Sequence, residues 1–283
     1  MKLATVIPLW RLCELAQVSR AGYYRWRRPP PAAADEMELR DEVQRMALEY
    51  PCYGWRRVTA ELRRRGWTVN HKRVRRILRE DNLLCVRKRK FVVTSDSHPG
   101  RQVYPNLACA MTLSDINQLW VADITYIRLE TEFVYLAVVI DAFSRRVIGW
   151  ALERTLEDAL PLAALRRALA WRQPAPGWVH HSDRGSQYAS GDYTELLQAH
   201  GCQISMSHKA SPWENAGCES WMKTLKYEEV YRQEYRDLGA ARASIGQFID
   251  KVYNQKRLHS ALGYRPPVEF EQALASRRVE AGA

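Results

Sequence analysis

The 283-residue chain is 46% hydrophobic and 27% charged, apolar enough to bury real cores and too balanced for wholesale disorder. No apolar run reaches the ~18 residues of a membrane span, and the N-terminus shows no signal-peptide cleavage region, so the expected location is cytoplasmic. Net charge is +11, carried unevenly: residues 1–108 hold 23 Lys/Arg against 11 Asp/Glu, whereas 109–283 hold 20 against 21. Such a division suits a polyanion-gripping module joined to a catalytic or scaffolding one, with a solvated basic surface as the alternative. Six cysteines form no C-x-x-C pair and no zinc spacing with the seven histidines, and read as reduced thiols.

Residues 8–28 read as helix, turn, helix. Leu9, Leu12, Cys13 and Ala16 fall at helical spacing, and Ser19 is suited to cap the second helix. Three prolines at 29–31 begin a stiff linker. A helix follows from Glu36 to Tyr50, with Met37, Leu39, Val43, Met46 and Ala47 apolar. The next helix, 55–65, ends at Gly66, and Asn70 caps HKRVRRILRED. There Val74, Ile77 and Leu78 point inward, while Lys72, Arg73, Arg75, Arg76 and Arg79 surround the outer face. Residues 51–90 hold 14 basic and three acidic side chains. Two helices at this spacing, the second so basic, resemble a helix-turn-helix whose second helix lies on DNA; an αα-hairpin with a solvated basic face is the alternative. Residues 1–95 are therefore expected to be an all-α DNA-binding region, with helix-turn-helix elements at about 8–28 and 53–82. Lys72, Arg73, Arg75 and Arg76 are its candidate DNA contacts, and 96–114 is expected to be a connector.

Strand signals then take over. Leu119–Leu129, Phe133–Phe143 and Arg146–Leu152 form a predicted antiparallel meander. A helix at 157–172, a short strand at 178–183, a helix from Tyr193 to His200, a strand at 202–207 and a helix from Ala216 to Tyr231 follow. The order βββαβαβα is that of the ribonuclease-H-like α/β fold, a mixed five-stranded sheet with flanking helices. This core, with C-terminal helices including 238–254, is placed at 115–273, and 274–283 is expected to be a tail.

Asp123 lies in the first strand (WVADITYI), Asp183 ends the fourth (HHSDRGSQY), and Glu219 sits on the following long helix (ENAGCESWMKTLK). Burying such charges is costly without a partner. In the expected fold the three converge, and none has a basic partner within its own segment. That donor set suits Mg²⁺, a hard ion taking oxygen ligands; two such ions ~3.5–4 Å apart serve phosphoryl transfer. Asn215, Lys223 and Lys226 lie at −4, +4 and +7 from Glu219, on one helical face. The lysines are candidates to hold DNA phosphates, against pairing with Glu228 or Glu229. Arg184, Ser186 and Gln187 are candidates to touch the scissile strand, and Trp213 to stack on a base. His180 is expected in the core and His181 beside the site, neither as a ligand; Trp120, Trp150, Trp171 and Trp178 are expected in the core.

Thirty-five residues separate Asp183 from Glu219, the spacing that names the D,D(35)E transposases and retroviral integrases. WVADITYI, VVIDAFSRRVIGW, HHSDRGSQY, ISMSHKASPWENAGCESWMKTLKYE and YNQKRLHSALGYRPPVEFE resemble the second-frame (OrfB) transposase of the insertion-sequence three family. Upstream, VSRAGYYRWRR, YGWRRVTAELRRRGW and VYPNLA extend the resemblance over nearly the whole chain. It implies a DNA-strand transferase in which Asp123, Asp183 and Glu219 are catalytic and bind two Mg²⁺, or Mn²⁺. Water would attack at the element's end, and the freed 3′-hydroxyl would attack a second phosphodiester, typically through a circular intermediate. The implied partners are the element's terminal inverted repeats, target DNA, a first-frame (OrfA) protein or its frameshift fusion, and further copies of the chain on DNA. One stretch departs from the pattern: where the family reads close to S-R-K-G-N-P-Y-D-N-A, this chain has SHKASPWENA. A non-catalytic DNA-binding regulator and a ribonuclease-H-like nuclease are the other readings.

Overall fold

In the computed structural model, which describes residues 8–27, 34–85, 103–208 and 211–282, the expected helix caps are in place. Ser19 Oγ accepts from the Gly22 N–H at 3.0 Å, and Asn70 Oδ1 from the Lys72 N–H at 2.9 Å, each satisfying a donor that the first helical turn leaves open. The chain divides into two units, Met1–Cys85 and Val86–Ala283.

The first unit is helical: α1 (Leu9–Leu15), α2 (Arg20–Arg27), α3 (Ala34–Glu49), α4 (Trp55–Arg64) and α5 (His71–Glu80). Leu39, Val43 and Met46 of α3 are fully buried with Val58, Leu62, Val74 and Ile77 of the next two helices; Met37, expected inward, faces solvent. Gly66, at φ +90°, takes the chain out of α4 in a left-handed turn. Arg65 ties α4 to α3, bonding Glu42 at 3.0 Å and Glu49 at 3.1 Å. Arg40 fastens α3 to the end of α5 through Glu80 and Asp81.

The second unit contains β1 (Leu119–Arg128), β2 (Phe133–Asp141), β3 (Val147–Glu153), α6 (Ala159–Arg172), β4 (Val179–Ser182), α7 (Gly191–Ala199), β5 (Gln203–Met206), α8 (Ala216–Glu228), α9 (Leu238–Gln247) and α10 (Pro267–Gly282). The strands form one mixed sheet in the order β3-β2-β1-β4-β5, antiparallel across β3-β2-β1 and parallel across β1-β4-β5. This is the ribonuclease-H-like arrangement. Alternation along β1 divides the core: Val121 and Ile127 pack with Trp221 and Leu225 of α8 and Ile245 of α9, while Trp120 and Ala122 pack with Leu165 and Ala168 of α6 and Leu197 of α7. Gly149 lets α6 rest on β3, for a Cβ there would come within 2.2 Å of the Ala164 carbonyl oxygen. Among the described residues no helix is long and apolar enough to cross a membrane.

Three expectations change. The second half of the expected connector is packed structure: Ser205 Oγ of β5 accepts from the Leu107 N–H at 2.9 Å, and Leu107, Met111 and Leu113 lie against the core. The expected tail is the second half of α10, which is held by ion pairs of Glu271 with Arg146 and Arg172 and of Arg278 with Asp115. Trp171 is half-exposed, sandwiched between the Arg146 and Arg172 guanidiniums at 4.3 and 4.5 Å from its ring centroid.

Candidate active site

β1 and β4 pair through Leu119–Val179, Trp120–His180 and Val121–His181. Two residues further along both strands stand Asp123 and Asp183, and paired positions of parallel strands share a face. Asp123 is half-buried and Asp183 opens to solvent. Burial, and next the charge of Asp183, push the Asp123 carboxyl up to about 7; Glu219 adds to the push, while the Ile124 N–H and Lys226 oppose it. Asp183 is also raised, by its enclosure among protein atoms, against a 2.9 Å bond from the Gly185 N–H.

α8 brings the third carboxylate. The residue that precedes the helix, Asn215, is buried and donates from Nδ2 to the Ala122 carbonyl at 3.1 Å, which pins the start of the helix beside Asp123. Asn215 therefore acts as an internal tether, contrary to the expected DNA contact. Glu219 lies one turn on and accepts from Lys223 Nζ at 2.7 Å. It thus has the basic partner in its own segment that the sequence reading denied it. Lys226 leans the other way, half-buried, with its ammonium 4.8 Å from the Tyr126 ring centroid and attracted to Asp123. Glu228 and Glu229 are otherwise engaged, Glu228 with Arg257 at 2.8 Å and Glu229 with the Tyr235 hydroxyl at 2.9 Å.

Among the described residues, no three His, Cys, Asp or Glu side chains are grouped closely enough to hold a metal ion. The donor set itself fits a hard divalent cation: two enclosed carboxylates repel each other, and the nearest ammonium is shared with an aromatic ring. Glu219 stands half-exposed on α8, ion-paired with Lys223.

The remaining predicted contacts divide. Arg184 Nε donates to the Ser207 carbonyl at 2.8 Å and Gln187 Nε2 to the Leu156 carbonyl at 3.1 Å, so both brace the loop after Asp183. Trp213 belongs to the turn Pro212–Asn215, and its side chain lies outside the described residues. On α5, Lys72 and Arg75 are exposed, whereas Arg73 and Arg76 turn toward Glu36 of α3 at 3.6 and 2.6 Å. His180 is core, bonded through Nε2 to the Tyr193 hydroxyl at 3.0 Å, and His181 is fully buried against Ser205.

Sequence reasoning missed two features. Tyr188 is buried, its hydroxyl has no hydrogen-bond partner among the described residues, and its phenol feels the charges of Asp123 and Asp183. Its place five residues after Asp183 was the only signal. The departures His208 and Glu214 prove to be partners: Glu214 accepts from the His208 backbone N–H at 2.6 Å, from His208 Nδ1 at 2.9 Å, and from Asn106 Nδ2 at 2.8 Å. The altered pair closes the loop before α8.

Asp123 within β1 and Asp183 just past the end of the adjacent parallel β4, with Glu219 on the helix packed against β1, in a ribonuclease-H-like sheet, are the arrangement of a polynucleotidyl transferase core of the DDE type. The integrase core domain family matches residues 114–212 and 200–267 through two descriptions, and an HTH-like domain family matches 34–91. Transposase InsF for insertion sequence IS3A from Escherichia coli (strain K12) is 35% identical over 92% of this chain and 92% of its own length. The insertion element IS600 uncharacterized 31 kDa protein from Shigella sonnei is 34% identical over 92% of this chain and 97% of its own. The chain belongs to this IS3 transposase family. Among solved structures, the catalytic core domain of BIV integrase is similar at a TM-score of 0.41 and 19% identity, covering 58% of this chain and 99% of that one.

Proposed function

We propose that this transposase cleaves the 3′ ends of an insertion sequence and joins them to new DNA by divalent-metal-dependent phosphoryl transfer, with Asp123, Asp183 and Glu219 as its catalytic carboxylates. The observation that carries the reading is the placement of Asp123 and Asp183 just past the last paired positions of β1 and β4, both raised, with Asp123 near 7.

The three carboxylates would hold Mg²⁺ or Mn²⁺; a bound pair of such ions neutralises phosphate charge and activates the attacking oxygen. Asp123 holds a proton part of the time near neutral pH and releases it when its charge is compensated. Glu219 leaves Lys223 to complete the set, which frees the Lys223 ammonium for a DNA phosphate. Lys226, anchored on Tyr126, stands beside it. Asn215 keeps α8 at a fixed height on β1. In cleavage, a water oxygen bonds to phosphorus and the 3′-oxygen leaves; in joining, that 3′-hydroxyl attacks a second phosphodiester and displaces another 3′-oxygen.

The exposed Lys72 and Arg75 of α5 serve the terminal inverted repeats by phosphate and groove contact. Two element ends must meet, so a second copy of the chain is expected on DNA, and an upstream-frame protein supplies further end recognition. The site of action is the cytoplasmic DNA. The test is incubation with labelled element-end duplex and Mg²⁺. Nicked and joined products support the reading. Binding without products supports a DNA-binding regulator, and cleavage confined to RNA–DNA hybrids supports a nuclease.

A further inference from the structure

Four large aromatic side chains stay exposed beside the site: Tyr126 (45%), Phe133 (53%), Tyr227 (40%) and Tyr231 (67%). They form two edge-to-face pairs, Tyr126–Phe133 with centroids 5.8 Å apart and Tyr227–Tyr231 at 5.5 Å. The β1–β2 register sets Tyr126 opposite Tyr135 and Arg128 opposite Phe133, so Tyr126, Arg128 and Phe133 share one face of the hairpin. Lys226, next in the chain to Tyr227, sets its ammonium 4.8 Å from the Tyr126 ring centroid, so the two pairs adjoin. An edge-to-face pair leaves at least one ring face turned outward, and a contiguous exposed apolar patch on a soluble unit marks a binding surface.

The charge around the patch narrows its occupant. Tyr126 stands three residues beyond Asp123 on β1, and the Lys226 ammonium of α8 lies 4.8 Å from its ring centroid, so the patch adjoins the carboxylate site. Arg128 is exposed and makes no hydrogen bond or ion pair among the described residues. Three nearby acids are engaged elsewhere: Glu132 pairs with Arg154 at 3.1 Å, and Glu228 and Glu229 turn inward to Arg257 and Tyr235, while Glu130 is exposed in the β1–β2 turn. Ring faces interleaved with available cations match a strand whose bases are unstacked and whose phosphates run alongside. A paired duplex offers phosphates but no base faces.

We infer that Tyr126, Phe133, Tyr227 and Tyr231 form a stacking platform for unpaired deoxynucleotides adjoining the scissile phosphodiester. The inference rests on the transposase reading, and it adds that the DNA end is bound partly melted.

The test uses the full chain carrying Asp183→Asn, so that binding is read without chemistry. Fluorescence anisotropy compares a blunt duplex with the same duplex carrying an unpaired tail, and 2-aminopurine in the tail reports stacking. The expected result is tighter binding of the tailed duplex with quenching of 2-aminopurine. Phe133→Ser combined with Tyr231→Ser should lose the quenching and about fivefold or more of that preference, while Tyr231→Phe keeps both and circular dichroism confirms folding. Equal affinity for blunt and tailed DNA, or quenching that survives the double variant, overturns the inference. So does a double variant that changes only the sedimentation of the free protein, which would make the patch an interface between copies. None of these results bears on strand transfer by the wild-type chain, which tests the parent reading separately.

Discussion

Asp123 and Asp183 stand at equal distance, two residues, past Val121 and His181, the last paired positions of adjacent parallel strands. Burial raises both carboxyls, and the charge of Asp183, set beside β1 by the sheet register, raises Asp123 further.

The pH dependence of stability is the first consequence. The Asp123 carboxyl titrates at about 7 in the folded chain against 3.8 as its ordinary value. Between those limits the folded state binds the extra proton, so the stability Asp123 contributes at low pH is lost as pH rises toward 7. Without metal, the thermal midpoint of the wild type should fall relative to Asp123→Asn between about pH 5 and pH 8. A difference that stays flat across this range would contradict the burial of Asp123 beside Asp183. Added Mg²⁺ should stabilise the wild type more at the upper end than at the lower.

Lys223 competes with the site for Glu219. The pair is exposed on both sides, so Lys223→Ala should change stability by less than ~1 kcal/mol. Metal affinity should rise modestly because Glu219 is released. DNA affinity should fall, with the salt dependence reduced by about one phosphate contact. Titration calorimetry and anisotropy at several salt concentrations separate the two effects.

His180 should remain neutral in mild acid. Burial lowers it to about 3, with the neighbouring His181 adding to the effect. The stability it contributes is complete above the unfolded value of 6.5 and is lost as pH falls toward about 3. NMR of its ring should show no protonation at about pH 5; a titrating ring would place His180 at the surface.

Gly149→Ala places a methyl where the Ala164 carbonyl stands. The expected cost is ~1–3 kcal/mol, as for other overpacked cores, measured by chemical denaturation. An unchanged midpoint would mean that α6 shifts away from β3 freely.

Much of this was legible in the sequence because local chemistry decides it. Ser19 and Asn70 cap the helices they were expected to cap, and the βββαβαβα order of apolar runs reproduces the sheet. What escaped depends on partners distant in sequence. Trp171 is apolar, but Arg146 and Arg172 hold it at the surface. Asn215 was placed by helical counting, which fails at a helix start with φ −111° and ψ 33°, and its amide turns to the strand. The Glu219 position was readable, but its ion pair with Lys223 one turn on was not weighed against the aspartates. Tyr188 carries no motif of its own, and only the folded chain brings its hydroxyl beneath the carboxylates.

The central claim is that Asp123, Asp183 and Glu219 act as one set on a phosphodiester. The direct measurement is the rate of strand joining from a pre-cut element end with Mg²⁺, for the wild type and for Asp123→Asn, Asp183→Asn and Glu219→Gln, each shown to bind DNA. Loss of a neighbour that merely orients a metal ligand costs up to ~100-fold, so each amide should lower the rate by more than about 100-fold. Any one of the three joining strands within about tenfold of the wild type would remove that residue from the set and contradict the account.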